Sequence, residues 1–323
     1  MSPRHVIVLR LSALGDVAMT LPVIYCAARQ YPDVRFTVVT RPFFRRLFID
    51  PPANIEFHDF DAKGRHKGTR GLLRLARELR AMKPDAVADL HDVLRTMVLR
   101  TAIPGKIAMV EKNRLHRREL TRGKSREWQP NYVERYAEVF ARLGMPVRLD
   151  FNGLFPPTER CGIGVAPFAR YQTKTYPPEL MEQVCRLLTD AGQTVYLYGA
   201  RGDEEEQLHA WAIRNPALKV VAGTMTLEEE LESMSRLQLM VSMDSANMHL
   251  ASLAGTRVIS LWGSTIPQCG FLGYGQSPDD AIWLDLPCQP CSIAGLPACP
   301  NGNLACLRRM PPRMIADKVL AAL

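Results

Sequence analysis

Residues 6–23 read VIVLRLSALGDVAMTLPV, and this stretch decides the fold. Residues 6–9 are a short apolar run rich in β-branched side chains, the pattern of a strand buried on both faces. Residues 17–29 carry the pattern of a helix interrupted only by Pro22. Gly15 and Asp16 therefore sit at a strand-to-helix turn, which in open α/β sheets is where ligands bind. Asp16 has two readings at this point. It is a carboxylate favoured by the positive end of the helix dipole, or a group aimed into a cleft to do chemistry.

Outward from this turn the alternation continues. Strands are expected at 35–39, 55–57, 86–90 and 106–110, with helices near 16–30, 69–82 and 131–143. A second series follows, with strands at 162–166, 194–198, 218–221, 239–242 and 257–261. Helices near 178–191, 203–214, 226–236 and 245–254 alternate with them. Strand-helix alternation implies parallel sheets covered on both faces. The stretch LDFNGLFPPTER at 149–160, with Asn-Gly and Pro-Pro, is the natural linker. The expectation is an α/β chain of two doubly wound, Rossmann-like domains, 1–152 and 153–323, facing a central cleft. A last helix, about 311–322, follows Pro311-Pro312 and is expected to pack back on the first domain.

The 323 residues exceed what one core usually supports, and 47% apolar with 23% charged residues is ordinary globular composition. No apolar run approaches the roughly 18 residues of a membrane-spanning helix. Arg10 and Asp16 break the apolar N-terminus in a way unlike a signal peptide, so a cytoplasmic protein is expected. Charge is uneven. Residues 1–150 hold 28 Lys and Arg against 16 Asp and Glu, and the remainder 13 against 17. The basic clusters are EKNRLHRRELTRGKSR (111–126) and KGRHKGTR (63–70), either a solvated loop or a surface for an anionic partner. No zinc-finger or RNP-type aromatic pattern accompanies them, so nucleic acid is not the expected partner.

The second half has its own strand-to-helix carboxylate in LMVSMDSANMHLASLAG, where Asp244 and Ser245 open a helix. The unpaired amides of Ser245, Ala246 and Asn247 would suit a phosphate, with Asp244 as the cap; a plain N-cap is the alternative. A second small-residue turn, Gly263-Ser264-Thr265, follows the next strand.

These pieces carry a resemblance. The chain resembles the lipopolysaccharide heptosyltransferases, ADP-heptose-dependent glycosyltransferases of the GT-B fold. The matching motifs are RLSALGDVAMTLP (10–22), DLHDVLR (89–95), KTYP (174–177) and YGARGDEEE (198–206). TMTLEE (224–229), DSANMH (244–249), LWGST (261–265) and GYG (273–275) complete the series in family order.

The resemblance implies that Asp16 is the catalytic base, with Gly15 allowing a tight turn. Lys174 then contacts the donor, Tyr176 standing where the family has Trp. Asp244, Ser245 and Ala246 hold the diphosphate, with Ala where the family has Gly, and Thr265 lies at the neighbouring turn. Met225 matches an adenine-contacting position or is a core methionine, His249 touches the diphosphate or packs, and one of Asp203, Glu204 and Glu205 binds the ribose. His91 and Arg95 face the acceptor or support it, while Arg117 and Arg118 receive its negative charge. The implied reaction is inverting transfer of heptose from ADP-heptose to an acidic Kdo-lipid A type glycolipid. No cofactor is required, and contact with the inner membrane is peripheral. Rival readings are another nucleotide sugar, an epimerase of the same architecture, or a non-catalytic nucleotide-sugar-binding protein that would tolerate loss of Asp16.

Cys288, Cys291, Cys299 and Cys306 read C-x2-C-x7-C-x6-C in a Pro- and Gly-rich stretch. A disulfide framework is disfavoured in a cytosolic chain, leaving reduced thiols in an ordered loop or a structural zinc site. No metal is expected to take part in the chemistry.

Overall fold

The computed structural model describes residues 3–323. They form two compact units: residues up to 112 with 130–152, and residues 113–129 with 153–323.

The first unit is built on a five-stranded parallel sheet. Its strands are β1 (His5–Leu9), β2 (Arg35–Thr40), β3 (Ile55–Asp59), β4 (Ala86–Asp89) and β5 (Lys106–Met109), in the order β3-β2-β1-β4-β5. The apolar run at 6–9 takes the central position, where both faces are covered, and all four side chains are fully buried. The helix expected over 16–30 is two helices, Leu14–Ala18 and Leu21–Gln30. The Thr20 hydroxyl donates to the Val17 carbonyl at 2.7 Å, and Pro22, lacking an N–H, fits the first turn of the second helix. Helix Tyr132–Arg142 starts at a capping box. Asn131 Oδ1 accepts from Val133 N at 2.9 Å, and Glu134 Oε2 accepts from Asn131 N at 2.9 Å.

The second unit holds a six-stranded sheet: β6 (Ile163–Ala166), β7 (Val195–Leu197), β8 (Leu218–Val220), β9 (Leu239–Met243), β10 (Val258–Leu261) and β11 (Ala281–Ile282). The order is β11-β10-β9-β6-β7-β8, with every pairing parallel.

The last helix, Pro312–Leu320, lies in the second unit. Its Ile315, Ala316 and Val319 join the core made by Met181, Val184 and Leu188 of helix Pro178–Asp190, and Tyr176 ties the approach by donating to the Met310 carbonyl at 2.7 Å. The basic stretch 113–129 also belongs to the second unit, although it precedes the linker. Leu120, the one buried residue of helix Arg114–Thr121, packs on Ile266 and Cys269, and Gln129 N donates to the Gln268 carbonyl at 3.0 Å. Apolar burial of one leucine outranks chain proximity here. The charge split changes accordingly, to +8 for the first unit and zero for the second.

Helix Leu94–Ala102 was not expected. Its buried face is Thr96, Leu99 and Arg100 while Leu94 and Met97 are exposed, so it lacks an apolar stripe. Among the described residues no helix is long and apolar enough to cross a membrane.

Candidate active site

In the first unit, Asp16 stands at the carboxyl end of β1, within helix Leu14–Ala18. Its carboxylate meets a backbone amide and a guanidinium. Its Oδ2 accepts from Ala13 N at 3.2 Å, as a carboxylate in a first turn does. The same oxygen lies 2.8 Å from Arg10 Nη2, and the side chain keeps 37% of its surface exposed. Gly15 is not the residue that makes the turn: it is helical, and its carbonyl accepts from Met19 N at 3.0 Å. The turn lies just upstream, in 10–13.

Arg10 is buried and placed by three acceptors. Nη1 donates to the Leu90 carbonyl at 2.7 Å and to Tyr136 Oη at 3.1 Å, leaving Nη2 for Asp16. Burial opposes its charge, but Tyr136 and Asp16 outweigh that, and its pKa lies above the ordinary value.

His91 follows β4. Burial, with Arg10 adding to it, pushes its pKa down to about 3, and Nδ1 is buried with no hydrogen-bond partner among the described residues. The imidazole is thus neutral at physiological pH and a poor proton acceptor. Its position rests on Asp89, which sequence reasoning missed. This fully buried carboxylate accepts from His91 N at 3.0 Å, Asp92 N at 2.9 Å and Arg100 Nη1 at 2.6 Å. The signal was available in DLHD, an acidic residue closing an apolar strand. Arg95 is exposed on the following helix.

The other basic cluster, 63–70, is partly structural. Asp61 accepts from Gly64 N and Arg65 N, while Arg65, His58 and His66 all meet Glu78.

In the second unit, Asp244 closes β9 and is 4% exposed. It does not cap the following helix, Ala246–Leu253, whose N-cap is Ser245 with no side-chain cap bond. Its Oδ2 instead lies 2.8 Å from Lys174 Nζ and accepts from Thr265 Oγ1 at 2.6 Å. Lys174, Asp244 and Thr265 form one buried cluster at the carboxyl ends of β9 and β10. The first-turn amides of the helix, at Ser245, Ala246 and Asn247, are left on a half-exposed surface.

The neighbouring backbone is close-packed. A Cβ on Gly263 would come 2.3 Å from the Thr173 carbonyl oxygen, so only glycine fits this turn. Ser264 N donates to that oxygen at 2.9 Å, and Ser264 Oγ donates to Thr173 Oγ1 at 2.9 Å.

His249 is buried one turn into the helix, and Met225 is half-buried just before the Thr226 cap of helix Leu227–Ser235. Of the three acidic candidates, Glu204 accepts from Ala200 N at 2.8 Å and Glu205 from Gly202 N at 3.4 Å, while Asp203 is exposed. Arg117 is half-buried in the second unit, where it acts electrostatically on Cys269 together with Asp244 and Lys174; Arg118 is exposed.

Comparison with known proteins bears on the family and the fold. Residues 72–295 match the family model described as glycosyltransferase family 9 (heptosyltransferase). Lipopolysaccharide heptosyltransferase 1 of Pseudomonas aeruginosa is 25% identical over 311 residues, covering 89% of this chain and 86% of that protein. The structures of E. coli heptosyltransferase WaaC with ADP and with ADP-2-deoxy-2-fluoro heptose each superpose with a TM-score of 0.72. They are 19% identical and cover 99% of this chain and 100% of theirs, a likeness of the GT-B fold. The chain belongs to glycosyltransferase family 9, the heptosyltransferases, and is a glycosyltransferase.

Proposed function

We propose that this enzyme transfers the heptose of ADP-heptose, with inversion, to a hydroxyl of an acidic lipopolysaccharide inner core of the Kdo-lipid A type. The relative named lipopolysaccharide heptosyltransferase 1 and the neighbour solved with ADP and an ADP-heptose analogue support this choice of donor and acceptor.

In this reading the acceptor oxygen attacks the anomeric carbon from the face opposite the diphosphate. The bond from that carbon to the diphosphate oxygen breaks, ADP leaves, and the hydroxyl proton passes to Asp16. The observation that carries the reading is the state of the two candidate bases at the first-unit turn. Asp16 is a half-buried carboxylate held by Arg10, whereas His91 beside it is pushed to a pKa of about 3. Charge developing on ADP is met by the amides of Ser245, Ala246 and Asn247 and by Lys174, whose ammonium Asp244 and Thr265 hold in place. These fixed donors let the reaction run without a catalytic metal. Met225, His249 and Asp203 serve the nucleoside and diphosphate. His91 and Arg95 serve the acceptor. Arg117 and Arg118, which lie in the second unit, receive the negative charge of the acceptor. The first unit, at +8, suits a peripheral position at an anionic inner membrane.

The test is incubation of the enzyme with ADP-heptose, other nucleotide sugars and Kdo-lipid A, with the product analysed by mass spectrometry and NMR. The expected product is one heptose added from ADP-heptose, with the anomeric configuration opposite to the donor's. A free epimerised sugar nucleotide formed without acceptor, or transfer from another nucleotide sugar alone, would overturn the reading.

A further inference from the structure

Asp89 is fully buried and takes no part in the chemistry proposed above. Burying an ion pair is costly, and an apolar pair of similar volume holds a helix on a sheet as well or better. Asp89 and its partner Arg100 therefore point to a role that needs direction. We propose that Asp89 is a positioning residue for the catalytic base: with Arg100 and Asp92 it clasps the turn after β4 so that the Leu90 carbonyl holds Arg10 against Asp16. This inference rests on the reading of Asp16 as the base.

The clasp is continuous from atom to atom. Asp89 Oδ1 accepts from His91 N at 3.0 Å and from Asp92 N at 2.9 Å, which closes the turn on itself. Asp89 Oδ2 accepts from Arg100 Nη1 at 2.6 Å, and the same nitrogen donates to Asp92 Oδ1 at 2.9 Å. One guanidinium on helix Leu94–Ala102 thus grips both ends of the turn. It keeps its charge there: burial opposes it, but Asp92 and Asp89 outweigh the burial. Asp92 has a φ of 47°, a left-handed conformation uncommon outside glycine. Lys112 secures it from a second side, Nζ donating to the Asp92 carbonyl at 2.6 Å.

Leu90 stands between the gripped residues. Its N–H donates to the Leu9 carbonyl at 3.1 Å, joining the turn to the end of β1. Its carbonyl accepts from Arg10 Nη1 at 2.7 Å, and Arg10 Nη2 lies 2.8 Å from Asp16 Oδ2. If the turn loosens, the Leu90 carbonyl rotates away and leaves Nη1 with the longer bond to Tyr136 Oη at 3.1 Å. The guanidinium then tilts and carries Asp16 with it. A small displacement of a reacting group is enough to cost turnover without touching the binding of ADP.

The test is a double-mutant cycle on kcat in the full-length enzyme, with ADP-heptose and Kdo-lipid A as substrates. Asp89→Asn keeps an oxygen for the two turn amides but presents an NH2 group to Arg100, which opens the grip on the helix. Its kcat should fall by about ten-fold, with the KM for donor and the Kd for ADP within about two-fold of the wild type. In an Arg10→Lys background the same substitution should cost less than about two-fold more, because its effect passes through the guanidinium already removed. Arg100→Gln opens the clasp from its other end and should give the same non-additive loss, whether or not Asp89→Asn folds. Arg100→Lys, whose one ammonium can serve both carboxylates as Nη1 does, should keep most of the turnover. A crystal structure of Asp89→Asn should show Arg10 Nη2 beyond ion-pair distance of Asp16, a readout independent of turnover.

Unchanged kcat in Asp89→Asn, losses that multiply across Asp89 and Arg10, or an Arg10–Asp16 contact intact in the variant would overturn the inference. Normal turnover by Asp16→Asn would overturn instead the reading on which it rests.

Discussion

Lys174 Nζ lies 2.8 Å from Asp244 Oδ2, and neither side chain has more than 14% of its surface exposed. The residue read as a donor contact is thus half of a buried ion pair whose other half closes β9. Removing one member leaves a buried charge without its partner, which typically costs about 3 kcal/mol. Lys174→Met should accordingly lower both the melting temperature and the turnover. The double variant Lys174→Met with Asp244→Leu should recover much of the stability and none of the turnover. Recovery of both would reduce the pair to a structural device.

Arg10 aims Asp16 through three acceptors at once, and a lysine cannot reproduce that fork. Arg10→Lys should lower kcat by about ten-fold while ADP affinity, measured by calorimetry, stays within about two-fold. A change in ADP affinity with kcat intact would show that Arg10 acts elsewhere.

The network around Glu78 makes the first unit sensitive to acid. Burial raises this carboxyl, but Arg65, His58 and His66 outweigh it and hold its pKa at about 2. A depressed carboxylate adds stability that is complete above its unfolded value near 4.5 and is lost as pH falls toward 2. Glu78→Gln should therefore destabilise the protein at pH 7 by about 1 kcal/mol after allowance for solvent screening, and the difference should vanish near pH 2. Chemical denaturation at several pH values measures this; a difference independent of pH would contradict it.

Leu120 is the anchor that assigns 113–129 to the second unit. Leu120→Ala should cost about 2–5 kcal/mol and should release hydrogen-exchange protection around 113–129 and 266–269. The strands of the first unit should keep theirs. Loss spreading through β1 and β2 instead would place the segment wrongly.

Much of the fold was legible because its strands are short apolar runs alternating with helices, β-branched in 6–9 and mixed in 239–243. The places of Asp16, Asp244 and Thr265 in the fold were legible for a related reason: each follows the end of a strand, in the segment that leads on from it. What was hidden depends on pairs distant in sequence. Nothing near Lys174 points to Asp244, and nothing in DLHDVLR says that Asp89 is gripped by Arg100 rather than facing a ligand. The charge pattern misled for the same reason. A basic stretch reads as part of the domain that precedes the linker, and only the pocket under Leu120 shows otherwise. Helix Pro312–Leu320 packs against helix Pro178–Asp190, a partner that its apolar face does not name in advance.

The central claim is that Asp16 takes the acceptor proton and does not hold the donor. The most direct measurement is Asp16→Asn, which keeps the size of the side chain and one oxygen for Ala13 N while removing the basic carboxylate. Turnover with ADP-heptose and Kdo-lipid A should fall by about a hundred- to ten-thousand-fold, with the Kd for ADP unchanged within about two-fold. Turnover near that of the wild type would contradict the claim.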